Sequence, residues 1–359
     1  MKMKKCGVIM AGGGGTRFWP LSRKNKPKQL LNLSGNDLLV NEALSRLRTV
    51  VEKEDAFIVT NRLQAATMVE ATGDRMYAKN VLVEPAARNT AACIGYAAMR
   101  IEKKYGDGVM IVTPSDAVIK NTKMFTEVLN RAAEEATQFD RLVTVGIQPT
   151  FAATGYGYIR YKDSENAVKE VDAFVEKPNV ERAERYLKEG GYAWNSGMFI
   201  WKASVILRKI EELLPDVYAP LVEIYKAMDT PNETEVLERV YPNIPSISID
   251  YGVLERCGTG EIACISAELG WSDVGSWDML NVLHSEDENG NVARGNVVSV
   301  DAKDCVFYSG SGKLITAVGV ENLVVVETGD CIMICPKDKA QDVKKIVEKL
   351  SEKGMEEFL

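Results

Sequence analysis

Residues 6–29 read CGVIMAGGGGTRFWPLSRKNKPKQ. Cys6–Met10 is a short apolar run of the strand type, and Gly12–Gly15 remove four successive side chains, so that backbone N–H groups can close on phosphate oxygens. Arg17 and Lys28 then add positive charge. The stretch predicts a buried strand feeding a phosphate-cradling loop. A P-loop would need Gly-Lys followed by Ser or Thr, whereas Gly15 is followed by Thr16 and Arg17. A dinucleotide fingerprint starting at Gly12 would need a third glycine where Arg17 stands. Four glycines can also form a plain flexible turn, and it is Arg17 and the triplet Pro27-Lys28-Gln29 that favour phosphate.

Working outward, the first half alternates two textures. Short Val/Ile/Leu-rich runs at Ala56–Thr60, Val81–Glu84, Val109–Thr113 and Leu142–Ile147 have the character of buried strands. Asp37–Val51, Leu63–Ala71, Ala91–Lys104 and Met124–Thr137 carry apolar residues at spacings of three and four, as helices do. The alternation predicts an α/β fold with a Rossmann-like, mainly parallel sheet covered on both faces. Ligands of such sheets bind beyond the carboxyl ends of the strands, so the glycine loop, Pro85–Asn89 and Pro114–Asp116 should converge. The middle of the chain has predicted strands at Tyr158–Arg160, Val171–Val175 and Gly197–Trp201 and helices at Glu181–Lys188 and Ala203–Leu213. It reads as an insertion flanking the same cleft. A polar segment after His284 marks a boundary, giving predicted domains 1–285 and 286–359. Beyond it, β-branched runs recur every eight to ten residues or so, the pattern of a β-solenoid or a small sandwich, before a helix at Ala340–Leu350.

The bulk properties narrow the function. The 46% hydrophobic and 26% charged composition of the 359 residues is that of an ordinary globular protein with a large core. A net charge of −7 argues against a nucleic-acid or anionic-membrane binder. The seven cysteines are scattered, with no CxxC pair, and His284 is the only histidine, so a Cys/His zinc site and a Ser-His-Asp triad both lack material. Free thiols predict a cytoplasmic setting. The apolar run at the start is too short for a signal sequence, and no stretch approaches a membrane span.

Several small constellations carry chemistry. Asp116 follows a buried strand in TPSD, and Asp273 lies in GWSDVGSW between two tryptophans. Each could merely cap a helix, but together they form the carboxylate pair that a hard cation such as magnesium takes alongside substrate phosphates. Glu176-Lys177 ends a strand, Asn195 offers an amide, and Gly157 permits close approach, a set that suits a sugar phosphate. The chemistry expected is electrostatic positioning, with one substrate attacking the other.

MAGGGGTRFWPLSR with PKQ, VEPAARNTA, TPSDAVI, GYGYI, FVEKP, WNSGMF, SIDYGVLE and WSDVGSW, in this order, resemble the sugar nucleotidyltransferases, and within them the branch that uses GTP and mannose 1-phosphate. The resemblance implies transfer of GMP from GTP to mannose 1-phosphate, giving GDP-mannose and pyrophosphate, with Mg2+ as cofactor. By motif match, Arg17 and Lys28 would be catalytic. Ala11, Gly12, Gly13, Gly14, Gly15, Thr16 and Ser115 would hold the nucleotide, with Glu84, Arg88 and Asn89 in the segment that reads guanine. Gly157, Glu176, Lys177 and Asn195 would bind the sugar phosphate, and Asp116 and Asp273 the metal. The resemblance also implies that the tail is a short left-handed β-helix of the kind involved in subunit contact, and hence a homodimer. Ala117 departs from the family's usual histidine, and no histidine follows His284, so a fused histidine-liganded isomerase is not expected. Another sugar 1-phosphate or nucleotide, or a non-catalytic sugar-nucleotide-binding paralogue, are the competing readings. Retention of Arg17, Lys28, Asp116 and Asp273 counts against the paralogue.

Overall fold

The computed structural model describes residues 3–162 and 166–359. The opening apolar run forms β1 (Lys5–Met10), and its burial on both faces demands neighbours on both sides. With β2 (Ala56–Asn61), β3 (Val81–Glu84) and β4 (Val109–Pro114) it makes a parallel unit in spatial order β3-β2-β1-β4. The helices Leu39–Leu47 and Thr122–Phe139 cover one face, and Asn89–Tyr105, Ala203–Leu213 and Pro215–Ala227 the other. Several helices start on side-chain caps, as the Asn61 and Asn121 side chains accept from the backbone N–H of Gln64 and Met124.

Beyond β4 the sheet departs from the expectation of mainly parallel pairing. Among the described residues β5 (Val118–Ile119) pairs separately with β11 (Trp271–Ser272), outside the main sheet. The main sheet continues with β6 (Leu142–Ile147), β7 (Tyr158–Tyr161), β8 (Lys169–Val175), β9 (Tyr192–Lys202) and β10 (Ile262–Ser266), in the full order β3-β2-β1-β4-β9-β6-β10-β8-β7. Strand β9 runs antiparallel to both β4 and β6, and β7 and β8 are antiparallel to each other and to their neighbours. The sheet is therefore mixed. A fully buried strand is apolar whichever way it runs, so composition predicts burial but not direction. Strand β9 also begins five residues earlier than expected, taking in WNSG. A register shift between Thr144 and Gly146 opposite this segment, together with the positive φ of 73° at Gly197, kinks it and re-aims Asn195. The helices Pro215–Ala227 and Glu233–Val240 add to what the sequence pattern predicts.

After the polar boundary the predicted strand positions hold closely, and their pairing resolves the choice of architecture. β12 (Val292–Arg294), β13 (Val297–Val300), β14 (Val306–Ser309), β15 (Ile315–Val318) and β16 (Leu323–Thr328) stack in parallel, with Val306 opposite Val324, Val297 opposite Ile315, and Lys303 bridging Glu321. Each of these last three pairs is 18 residues apart, which defines one coil of a solenoid; a sandwich would pair its strands mostly antiparallel. β17 (Cys331–Pro336) folds back antiparallel on β16 and closes the stack.

The solenoid shares a core with the sheet domain. Trp277 is fully buried, its ring centroid 5.2 Å from that of Phe18 and 5.3 Å from that of Tyr308, and its indole N–H donates to the Trp19 carbonyl at 3.0 Å. The Trp19 indole donates in turn to the Phe358 carbonyl at 2.8 Å. His284 and Arg294 both reach the Leu33 carbonyl, which gives the single histidine a packing role. Removing a buried tryptophan that joins two layers costs about 3–5 kcal/mol. Trp277→Ala should accordingly lower the urea midpoint and separate the loss of solenoid structure from that of the sheet domain, as read by parallel circular dichroism and tryptophan fluorescence.

Candidate active site

The carboxyl ends of β1 and β4 place their loops side by side. Ser115 donates its N–H to the Met10 carbonyl at 3.1 Å, and Ala11 donates to the Val59 carbonyl at 2.8 Å, which fixes where both loops begin. Gln29 is buried beneath the glycine run, its Nε2 lying 2.8 Å from the Ala11 carbonyl, 3.0 Å from that of Gly13 and 3.0 Å from Gln64 Oε1. Gly15 has a φ of 61°, and a Cβ there would lie 2.3 Å from Lys28 Cβ, so the loop can pack on Lys28 only as glycine. Gly12, Gly13 and Gly14 stay exposed above this support.

Lys28 is the centre of the arrangement. Its ammonium is buried, with Nζ 2.9 Å from Asp116 Oδ2 and 2.5 Å from the Asp273 carbonyl. A buried cation needs such partners, so one side chain holds both carboxylate-bearing loops next to the glycine loop. Tyr156 donates its hydroxyl to Asp273 Oδ1 at 2.7 Å, and Oδ2 of Asp273 and Oδ1 of Asp116 form no hydrogen bond among the described residues. Gly15, Thr16, Arg17, Lys28, Asp116 and Asp273 line one cavity of about 260 Å³. Arg17 is exposed there and forms no ion pair among the described residues.

Asp116 and Asp273 also border a second cavity, of about 240 Å³, with Gly157, Glu176, Asn195 and Asp250. A Cβ on Gly157 would meet Glu176 Oε2 at 2.4 Å, so the glycine makes room for that carboxylate. Asn195 donates to Asp250 Oδ1 at 2.9 Å and accepts from the Gly197 N–H at 3.0 Å. Burial and the nearby Glu176 push the Asp250 carboxyl up to about 6. Lys177 forms an ion pair with Glu176 and faces a wider opening that also takes in Arg17, Phe151 and Tyr156. Tyr156 packs edge-on against Trp194 and Trp271, giving the second cavity an aromatic wall.

The structure thus brings Gly15, Thr16, Arg17, Lys28, Asp116, Asp273, Gly157, Glu176 and Asn195 around two cavities that share Asp116 and Asp273, with Lys177 on the adjoining opening. Of the predicted nucleotide residues only Gly15 and Thr16 line the first cavity; Gly12–Gly14 stand exposed beside it, Ala11, Glu84 and Ser115 are buried, and Arg88 and Asn89 lie apart. Ser115 is buried as a backbone tie. The Arg88 guanidinium is engaged by the Pro242 carbonyl, and Asn89, with a φ of 62°, turns its Oδ1 back to accept the Thr90 N–H; the neighbouring Thr90 reaches the second cavity instead. Glu84 lies beneath the glycine loop, with Oε2 3.3 Å from where a Gly12 Cβ would stand and Oε1 2.5 Å from the Tyr241 hydroxyl. Gln29, Tyr156 and Asp250 lie within the motifs, but only their partners in space reveal a role for them.

This is the site of a nucleotidyl-transfer enzyme: an open glycine loop, two cations and a carboxylate pair on one side, and a polar, aromatic-walled pocket on the other. The chain belongs to the nucleotidyl transferase family, whose model matches residues 6–290, and residues 295–350 match the MannoseP isomerase/GMP-like beta-helix domain. Alginate biosynthesis protein AlgA of Pseudomonas putida is 39% identical over 98% of this chain and 72% of its own length. Mannose-1-phosphate guanylyltransferase ManC of Salmonella typhimurium is 37% identical over 98% of this chain and 74% of its own. The crystal structure of mannose-1-phosphate geranyltransferase from Thermus thermophilus is similar with a TM-score of 0.87 and 32% identity, covering 97% of this chain and 100% of that one.

Burial raises the Glu84 carboxyl from its ordinary value of 4.5 to about 7, against the opposing effect of the Tyr241 hydrogen bond. The unfolded chain releases this proton near 4.5 and the folded chain near 7, so Glu84 lowers stability as pH rises through that window. Glu84→Gln should remove that slope. Denaturant midpoints at about pH 5 and about pH 8 should differ less in the variant than in the parent.

Proposed function

We propose that the chain transfers GMP from GTP to α-D-mannose 1-phosphate, producing GDP-mannose and pyrophosphate. The observation that carries this reading is the pair of cavities meeting at Asp116 and Asp273. A triphosphate laid along the glycine loop and a sugar phosphate in the second cavity would then meet with their reacting groups beside those two carboxylates. A phosphate oxygen of the sugar phosphate attacks the α-phosphorus, the bond from that phosphorus to the β-phosphate bridging oxygen breaks, and pyrophosphate departs with the electron pair; no protein nucleophile is needed. Arg17 and the Lys28 ammonium stabilise the charge that develops on the transferring and leaving groups. The exposed N–H groups of Gly12–Gly15 hold the nucleotide phosphates, Glu176, Asn195 and Asp250 orient the sugar hydroxyls, and Lys177 meets its phosphate.

The two carboxylates fit Mg2+. Each keeps one oxygen without a hydrogen bond, both border the phosphate cavity, and magnesium commonly takes one or two protein carboxylates with substrate phosphates and waters. Among the described residues no cluster of three acidic, His or Cys ligands forms a self-sufficient metal cage, in keeping with a cation that arrives with its nucleotide. Bound there, the metal would neutralise phosphate charge and polarise the α-phosphate. Burial of Glu84 beneath Gly12 supports a role at the nucleotide, and the competing non-catalytic reading would leave Arg17 and the carboxylate pair without purpose.

We also infer that residues 1–285 form the catalytic unit and 286–359 a β-helix unit that pairs two copies of the chain. Val298, Val300 and Val318 stand exposed on the β13–β15 sheet, an apolar strip that a second copy would cover. A cytoplasmic setting accords with the seven cysteines, all free. Among the described residues no helix is long and apolar enough to cross a membrane.

Pyrophosphate release measured across four nucleoside triphosphates and a panel of sugar 1-phosphates should be highest for GTP with mannose 1-phosphate; release with no pair would sink the assignment. Asp273→Asn should keep the fold and lower kcat by roughly a hundredfold or more, the scale of losing one electrostatic stabiliser. Val300→Lys with Val318→Lys should shift the chain from dimer to monomer in sedimentation velocity.

A further inference from the structure

The phosphate cavity has a wall that the catalytic unit does not supply. Besides Arg17 and Lys28, a third cation borders it: Lys344, in the first turn of the C-terminal helix Val343–Glu352. That helix is not loosely appended. Val343 is buried in the core shared by the solenoid and the Phe18–Trp19 segment, and Gln341 just ahead of the helix donates to Ser276 Oγ at 2.7 Å, three residues beyond Asp273. The helix packs against the turn Thr16–Phe18 that carries Arg17. With Val343 turned into the core, the next side chain is delivered to the cavity edge. Its neighbour Lys345 pairs instead with Asp342 at 2.9 Å, while Lys344 forms no ion pair among the described residues.

The charge balance indicates what Lys344 is for. Without it the cavity has two cations, Arg17 and Lys28, facing two carboxylates, Asp116 and Asp273, and Lys28 already commits hydrogen bonds to Asp116 and the Asp273 carbonyl. A highly charged triphosphate would enter a site whose side-chain charges cancel. Lys344 tips the balance to positive, and the positive end of its helix adds to it. The sugar-side residues Glu176, Asn195 and Asp250 border the other cavity and are absent from this one. The group facing Lys344 is therefore the far end of the nucleotide's phosphate chain.

We propose that Lys344 binds the β- and γ-phosphates of the incoming triphosphate and then the pyrophosphate they become, so that the C-terminal unit supplies part of the active site. This rests on the guanylyl-transfer reading above. The test compares Lys344→Ala, Lys344→Gln and Lys344→Arg with Lys345→Ala as a neighbouring control, each checked for an unchanged thermal midpoint. Binding of inorganic pyrophosphate with magnesium is measured by titration calorimetry, and KM for GTP and for mannose 1-phosphate by steady-state kinetics. Lys344→Ala and Lys344→Gln should weaken pyrophosphate binding and raise the KM for GTP about tenfold, the effect of one charge-assisted hydrogen bond. The KM for mannose 1-phosphate should not move, Lys344→Arg should retain most of the affinity, and Lys345→Ala should match the parent. Parent-like pyrophosphate binding and GTP KM in Lys344→Ala, with a functional parent, would overturn the role of Lys344 alone. A parent chain that neither binds pyrophosphate nor turns over would overturn the guanylyl-transfer reading together with it.

Discussion

A lysine ammonium taken out of water must be compensated by close partners, and Lys28 finds its own in Asp116 and the carbonyl of Asp273. These three residues lie far apart in sequence, and each belongs to a different loop of the fold. Their contact holds Gly15, Asp116 and Asp273 around the first cavity and sets where the two cavities meet. The charge pair is asymmetric, since Asp116 remains partly open to solvent while Lys28 does not. An anionic ligand or a cation entering the cavity would therefore redistribute the partners of Lys28, and the site is electrically responsive where the reacting atoms would sit.

Around that centre the structure separates grip from recognition. Main-chain groups of the glycine loop, backed by Gln29, provide a surface suited to any polyphosphate. Side chains from the turn before β7, the turn after β8, β9 and the SIDYGVLE segment line a pocket with paired carboxylates, an amide and an aromatic ring. The Tyr156 hydroxyl joins the two by holding Asp273 while its ring packs on Trp194 and Trp271. Burial and the adjacent Asp273 carboxylate push that hydroxyl far above its ordinary range, so it acts as a fixed donor.

Much of this was legible in the chain. The strands of the first half, the solenoid strands and the convergence of the glycine loop with Pro114–Asp116 follow from apolar runs ended by small or charged residues, whereas Arg88 and Asn89 did not join them and Asp273 was placed there only by the resemblance. What escaped is of one kind. The antiparallel course of β9 depends on the path of a connection rather than on composition, and the splitting of VEPAARNTA between Thr90 in the pocket and Arg88 on the Pro242 carbonyl depends on where a later segment lies. Asp250 and Gln29 have meaning only through partners that are distant in the chain. Lys344 sits in an amphipathic helix where a lysine is ordinary, and nothing in the local pattern marks it.

Strand β9 carries a mechanical consequence. It hydrogen-bonds to β4 on one side and β6 on the other, stitching the β1–β4 unit and the β6–β10 unit into one continuous nine-stranded sheet. Two cavities mounted on one sheet cannot swing together as separate lobes, because a hinge between them would have to break a central ladder. Any tightening around a bound ligand is left to the rims: the exposed glycines above Gln29 and the Phe151–Gly157 segment beside the second cavity. On the reading proposed above, the scaffold would fix the distance between the reacting partners in advance.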